Sequence, residues 1–407
     1  MEASTYPMLD AAAAADLVLD RTPRLGDESV HVGAARGRVL ASDIVVPANL
    51  PRFPASAVDG YAVRAADAGR RLRIVGESAA GRPYPEEVPP GGACRILTGA
   101  VLPPGADTVV MVEDVEQTPD WVVVPEGLRP DRNFHRPGAD ARAGEVAIAA
   151  GFELGPAEVG LLATIGLASV PVVRRPRVAL LSTGDELVEV GTVPGPGQIV
   201  DSNRWALRAA LEEAGAEITL LGLAPDEPDQ LRTLVTAALK DHDVLLTSGG
   251  VSVGTHDLVK PLLATLGEVL VGRVRLKPGK PFTFATLPEG RLAFGLPGFP
   301  VSSLVTFEVF VRPSLRRLQG HRCLQRPMLP VRLGYDAKAA PDRTEYQRVT
   351  LHREGAELVA ATTGSQSSSR LGSLVGAQAL VRIPPGGDGL PAGTVLDAII
   401  LELPAAG

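Results

Sequence analysis

The pattern of apolar and polar positions changes character several times along the chain. From Met8 to Leu19 an Ala-rich run has helical spacing, and Pro156 to Ile165 offers a second helical stretch with Pro at a first turn. Between them, from about 47 to 143, short alternating runs (Arg71 to Gly76, Cys94 to Thr98, Thr108 to Glu113) lie between Pro-Pro-Gly and Pro-Gly turns. They predict an all-β insertion in a small helical domain. From Pro176 the runs alternate in type. Strands are predicted at Arg177 to Ser182, Glu217 to Leu223 and Asp243 to Ser248. Helices are predicted at Ser202 to Ala214, Pro228 to Leu239 and Asp257 to Leu266, with Gly215 and Gly267 as stops. Another helix is expected from Pro300 to about Leu318.

This alternation implies right-handed crossovers and a mostly parallel sheet, with ligands outside the carboxyl ends of its strands. Beyond about Leu324, alternation with Gly/Pro turns predicts a C-terminal β domain. The expected division is a split helical/linker domain at 1–46 and 144–175, an inserted β domain at 47–143, an α/β domain at 176–323 and a β domain at 324–407. The fold class is multidomain α/β plus β.

Composition narrows the function. Of 407 residues, 40 are basic and 47 acidic, a formal net charge of −7, which argues against a nucleic-acid module held by a basic face. The two cysteines, Cys94 and Cys323, exclude a disulfide framework or a Cys-based zinc site. No Ser-His or Cys-His pair is offered, which argues against covalent catalysis. The first residues lack a basic n-region and an apolar h-region, and no segment reaches 18 uncharged apolar residues. A soluble, cytoplasmic protein with no membrane contact is expected. Lysine is scarce: Lys240, Lys260, Lys277, Lys280 and Lys338 are all there are.

The candidate chemistry gathers in loops after strands. In Leu246 to Asp257 (LTSGGVSVGTHD) the backbone amides and the hydroxyls of Thr247, Ser248 and Ser252 can converge on an anion. Gly249 and Gly250 permit close backbone approach and unusual φ angles. Asp257 suits an N-cap or a Mg²⁺ ligand equally. In Arg275 to Phe282 (RLKPGKPF) two scarce lysines stand three positions apart on a Pro-stiffened loop that suits phosphate or oxyanion binding. As exposed turn residues, neither lysine is expected to carry much stability. Gly295 to Ser303 (GLPGFPVSS) turns a strand end into a helix. Ser182 to Glu186 (STGDE) and Gly197 to Asn203 (GQIVDSN) add acidic groups and a Ser/Asn capping site. Carboxylates facing an anion loop call for a hard cation between them. Asp59-Gly60 reads as a turn in the insertion, which also carries Thr98-Gly99 and Arg136-Pro-Gly-Ala-Asp140.

In that order TGDEL, GQIVDSN, SGGVSVGTHD, KPGKPF and GLPGFPVSS resemble the molybdopterin molybdenumtransferase family, the bacterial MoeA proteins and the related domain of gephyrin. The SAVDGYAV and LTGA segments match that family's β insertion. The resemblance spans essentially the whole chain. It implies a homodimer of four-domain subunits, in which the α/β domain binds molybdopterin and the C-terminal domain is a β-barrel. It also implies insertion of molybdenum from molybdate into adenylylated molybdopterin with release of AMP, aided by Mg²⁺.

By position, Asp257 and Glu186 look like metal or pyrophosphate-end ligands, and Asp226 like another acidic residue near the site. Lys277 and Lys280 resemble the oxyanion-binding lysines, and Pro297 and Pro300 the pair that shapes the wall. Asp59, Thr98, Arg136 and Asp140 look like the contribution of the inserted domain to the partner subunit's cleft. Molybdopterin adenylyltransferase and the enzymes that receive the finished cofactor are the partners implied. Phe299 stands where the family commonly has Asn, and its position is left out of the expected site. The rival readings are a molybdopterin adenylyltransferase, which lacks three of these domains, and a non-catalytic molybdopterin carrier or scaffold.

Overall fold

The computed structural model describes residues 6–224, 227–250 and 258–404. They form two compact units, one of residues up to 29, 37–39 and from 171 onward, the other of residues 30–36 and 40–170.

The first unit is built on a six-stranded sheet. Its strands are β1 (Arg177–Thr183), β2 (Glu217–Ala224), β3 (Val244–Ser248), β4 (Glu268–Val271), β6 (Thr283–Thr286) and β7 (Leu292–Leu296), in the order β2-β1-β3-β7-β6-β4. A further strand, β5 (Arg273–Lys277), leaves this sheet to join the C-terminal strands. The first four strands in the sheet order run parallel, and β6 and β4 complete it antiparallel. Helices α1 (Asn203–Glu213), α2 (Pro228–Ala238) and α3 (Val259–Leu266) make the connections. β1, β3 and β7 are buried along nearly their whole lengths, the signature of strands covered on both faces.

After β7 the chain is helical from Pro300 to Leu318, with a π-helical turn at Phe307–Val311 between two α segments. That turn places Phe307 and Phe310 in the core, where the Phe310 ring stacks on Phe282 with centroids 4.3 Å apart. The C-terminal strands β8 (Met328–Leu333), β9 (Thr344–Glu354), β10 (Glu357–Thr362), β11 (Ala379–Ile383) and β12 (Val395–Ile400) close a five-stranded barrel. Pairing runs β9-β10-β8-β12-β11 and back to β9.

One detail differs from the sequence reading. Met8–Asp10 is a strand, pairing in parallel with Arg273 to Arg275, and the helix begins after it at Ala11–Asp20. The Ala-rich pattern hides that strand because its partner comes late in the chain. The helices Ala11–Asp20 and Pro156–Thr164 fall in different compact units.

The second unit is dominated by a six-stranded sheet. Its strands are Thr108–Met111, Gly60–Val63, Gly92–Ile96, Arg71–Ser78, Trp121–Val123 and Glu116–Gln117, in that spatial order. Gly60 is not a turn glycine. It opens a buried strand, and a Cβ there would stand 1.9 Å from the Val110 carbonyl oxygen, so the close pairing of strands requires it.

Candidate active site

The register of the parallel strands sets the site. Ser182 of β1 is level with Ser248 of β3, and Ser248 with Leu296 of β7. The three strands therefore end together. The loops leaving their ends, Gly184 to Leu187, Gly249 and Gly250, and Pro297 to Pro300, line one cleft of about 990 Å³. The cleft lies where the chain leaves β1 to one side for β2 and returns on the other side for β3, the switch point at which such sheets hold ligands.

The Gly-Gly pair is explained by packing. Gly249 and Gly250 have φ of 87° and 67°. A Cβ on Gly249 would lie 2.4 Å from the Thr183 carbonyl oxygen, and one on Gly250 2.7 Å from Thr183 Oγ1. The close approach is thus to the end of β1. Asn203, at the start of α1, ties the rim together: its Nδ2 donates to Ser248 Oγ at 2.8 Å and to the Gly298 carbonyl at 2.6 Å. Ser303 Oγ donates to the Pro297 carbonyl at 3.0 Å. Beneath them, the buried hydroxyls of Ser182, Thr183 and Thr247 have no hydrogen-bond partner among the described residues.

The acidic loop divides its carboxylates between two roles. Asp201 is buried; it accepts the Arg204 amide at 3.1 Å and pairs with the Arg204 guanidinium at 3.4 Å, so it caps α1 in place of the expected Ser202 or Asn203. Arg204 also bridges Glu189. Glu186 remains on the cleft wall beside Asp185, within reach of solvent. Among the described residues no three His, Cys, Asp or Glu side chains gather as a metal cage. Glu186 could serve as a carboxylate ligand for a Mg²⁺, which takes one or two carboxylates and fills its other positions with other oxygens.

Lys277 and Lys280 both line the cleft, but they differ. Lys277 Nζ lies 3.1 Å from the buried Glu345 carboxylate, its register partner where β5 pairs with β9. Lys280 has no carboxylate partner among the described residues. The barrel adds lining: Arg343, which sequence reasoning does not single out, and Gln366, Ser367 and Ser368, which lie in the Thr363 to Ser373 segment that resembles a family loop of the barrel domain. Arg348, wholly buried, holds that loop. Its Nε donates to Ser373 Oγ at 3.1 Å, its Nη2 donates to the Ser367 carbonyl at 3.2 Å, and its backbone exchanges hydrogen bonds with the Gln366 amide. The Val301 amide donates to the Ser368 carbonyl at 3.1 Å. The only sequence signal for this wall is the Ser/Gly-rich stretch from Thr363 to Ser373.

Family models match nearly the whole chain: the MoeA N-terminal region (domain I and II) over 9–166, a probable molybdopterin binding domain over 179–317, and the MoeA C-terminal region (domain IV) over 330–401. A molybdopterin molybdenumtransferase of Haemophilus influenzae is 39% identical over 86% of this chain and 87% of its own. The chain belongs to the molybdopterin molybdenumtransferase family. Another such relative, from Nostoc, is 37% identical over 98% of this chain and 94% of its own. The solved molybdopterin biosynthesis MoeA protein of Pyrococcus horikosii superposes with a TM-score of 0.83 at 32% identity, over 98% of this chain and 100% of that one.

For this member of the molybdenumtransferase family, the structure brings Glu186, Ser248, Gly249, Gly250, Lys277, Lys280, Pro297 and Pro300 to one cleft. Phe299, set aside in the sequence reading, lines it too. Asp226, Ser252 and Asp257 lie outside the described residues.

The other expected residues are in the second unit. Asp59 Oδ1 accepts from the Thr98 amide at 2.6 Å and from its hydroxyl at 2.7 Å, and these bonds hold the Asp59 carboxyl below the usual carboxylate range. Arg136 pairs with Asp131 at 2.5 Å and lines a pocket of about 420 Å³ with His135 and Arg142. Asp140 does not line that pocket; its amide donates to the Leu50 carbonyl at 2.9 Å. No helix among the described residues is long and apolar enough to cross a membrane.

Proposed function

We propose that this protein inserts molybdenum from molybdate into adenylylated molybdopterin, with Mg²⁺ as helper and AMP as the released product. The observation that carries the reading is a single cleft that combines an amide- and hydroxyl-rich strand-end wall, two lysines and a carboxylate open to solvent. Both substrates are anions, and this lining matches them: point charges for the oxyanion, and amides and hydroxyls for the phosphates.

In this reading Lys280 draws molybdate into the cleft, while Lys277, oriented by Glu345, positions it. The Ser248-Gly249-Gly250 turn holds the phosphates, and Pro297 and Pro300 fix the opposite wall. Glu186, with Asp257 as the second expected ligand, would hold a Mg²⁺ that would neutralise charge at the phosphoanhydride. Water attacks the molybdopterin-side phosphorus of the phosphoanhydride: its oxygen stays on the molybdopterin phosphate, its proton passes to solvent, the P–O bond to the bridging oxygen breaks, and AMP leaves with that oxygen and the bond's electron pair. Asp226 is proposed as a further acidic residue close to the site, and Ser252 as a further hydroxyl of the anion loop.

The reading extends to assembly. A twofold dimer is proposed, with Asp59, Thr98, Arg136 and Asp140 of one subunit serving the cleft of the other. The split helical grouping of 1–46 with 144–175, the insertion at 47–143, the α/β domain at 176–323 and the barrel domain at 324–407 are proposed as its parts. Cytoplasmic location, and handover from a molybdopterin adenylyltransferase and to apoenzymes, belong to the same proposal.

The test is direct. The protein is incubated with adenylylated molybdopterin and Mg²⁺, and AMP is measured on adding molybdate. Release that depends on molybdate supports the reading. Release that needs ATP, or none at all, contradicts it.

A further inference from the structure

We propose that Phe299 is an aromatic platform on which the adenine ring of the adenylylated substrate stacks. The inference rests on the proposed function of the cleft and adds a specificity-determining residue to it. Of the nine phenylalanines Phe299 is the most exposed, at 60%, and it stands on the cleft wall. A solvent-facing phenylalanine forfeits the gain of burial, so a ligand that covers it recovers that gain.

The loop does not need this side chain for its own shape. Asn203 donates to the Gly298 carbonyl, Ser303 Oγ donates to the Pro297 carbonyl, and the Phe299 carbonyl accepts the Ser303 amide at 2.9 Å. Position 299 is therefore conformationally satisfied through its backbone alone, and its exposed ring is left free on the cleft wall.

The surroundings say what kind of ligand fits. Ile199, 56% exposed, and Val200, 36% exposed, line the same cleft as Phe299, so one part of the lining is apolar. The strand-end loops and Lys280 make the remainder polar and cationic. A cleft of this composition suits a ligand with a phosphate at one end and a flat ring at the other. Adenine is wholly unsaturated and flat on both faces. The pyranopterin of molybdopterin carries tetrahedral carbons in its reduced rings and is puckered, so it makes a poorer stack. Ring stacking is also tolerant of small shifts in position, which suits a residue at the rim of a cleft.

The experiment measures binding of AMP, ribose 5-phosphate and a pterin monophosphate to the full chain by titration calorimetry, in wild type, Phe299→Asn and Phe299→Tyr. Phe299→Asn is expected to weaken AMP binding about tenfold, and Phe299→Tyr to stay within about twofold of wild type. Ribose 5-phosphate, which has no base, is expected to bind all three alike. Phe299→Tyr should leave the thermal unfolding temperature unchanged because the ring is exposed, and Phe299→Asn should raise it slightly, because Asn at this N-cap can accept an amide of the helix beginning at Pro300. Undiminished AMP affinity in Phe299→Asn overturns the platform and leaves the function of the cleft standing. Equal losses of AMP and ribose 5-phosphate overturn it too, by pointing to altered cleft shape. Loss confined to the pterin ligand overturns the assignment to adenine. A wild-type protein that binds neither AMP nor ribose 5-phosphate overturns both this inference and the function it rests on.

Discussion

Lys277 Nζ sits 3.1 Å from Glu345 Oε2, and the two residues are register partners across the junction of β5 with β9. Glu345 is almost wholly buried, whereas Lys277 is 42% exposed on the cleft. One ion pair thus joins the barrel to the loop that carries both cleft lysines. The expectation that Lys277 is dispensable for stability does not survive this geometry. Lys277→Ala strands a buried carboxylate and should cost about 1–2 kcal/mol, a value reduced from that of a fully buried pair because the lysine is half exposed. Lys280→Ala should fall within about 0.5 kcal/mol of wild type. Urea unfolding of the two variants side by side checks the difference, and equal stabilities would remove the structural role of the pair.

The Gly-Gly turn makes a second, sharper contrast. Gly249→Ala combines a left-handed φ with a Cβ 2.4 Å from a backbone oxygen that cannot move aside. A loss of about 1–3 kcal/mol is expected. At Gly298 an added Cβ would meet nothing nearer than the Gly249 Cα at 3.9 Å, so Gly298→Ala should be close to neutral. Denaturant midpoints decide it.

Asn203 is the donor that holds both Ser248 and the Gly298 carbonyl. Asn203→Asp keeps the shape but cannot donate to that carbonyl. Turnover should fall at least about tenfold with secondary structure retained. Full activity in this variant would show that the rim needs no such tie.

In the second unit the Thr98 amide and hydroxyl depress the Asp59 pKa. Because the folded-state value lies below the unfolded one, the stability this contributes is present above the ordinary Asp range and is lost as pH falls through the folded pKa. Thr98→Val removes the hydroxyl and keeps the amide. The Asp59 carboxyl should then titrate closer to the ordinary value, which carboxyl-carbon NMR reads. An unchanged titration would assign the whole effect to the backbone.

Whether a feature is legible in the sequence depends on where its partners lie along the chain. Arg177 to Ser182 and Asp243 to Ser248 announce themselves as buried strands because their interiors are runs of apolar or small residues. The Gly and Ser residues just beyond such strands mark the cleft because strand ends in a parallel sheet come level, whereas Lys277 and Lys280 end and follow β5, which pairs with the C-terminal strands. Met8–Asp10 reads as helix because its pairing with Arg273 to Arg275 leaves no local trace. Arg343 of the barrel wall escapes detection for the same reason, while the Ser/Gly-rich stretch from Thr363 to Ser373 marks a loop without marking what it faces. Arg343 and Gln366 to Ser368 reach the cleft only through the β5–β9 junction and the Arg348 anchor, neither of which has a periodicity. Asp201 stands in the acidic loop as a candidate for cation binding, and only its pairing with Arg204 gives it another role.

Assembly has its own test. Subunits carrying Asp59→Asn are mixed with subunits carrying Asp257→Asn, each expected to be inactive alone, and allowed to exchange. With a shared site, about half the dimers are mixed, each with one intact site of two, and roughly a quarter of wild-type activity should return. If both residues serve one subunit's cleft, no activity returns.

The central claim, molybdate-dependent release of AMP in the strand-end cleft, is tested most directly by titrating molybdate against AMP release in wild type, Lys280→Ala and Lys240→Ala. Lys240 is exposed and does not line the cleft, so it serves as the control. Wild type and Lys240→Ala should release AMP only when molybdate is present and saturate together. Lys280→Ala should need about tenfold more molybdate, the loss of roughly one charge-assisted contact. AMP release without molybdate, or identical titrations in all three proteins, would contradict the account.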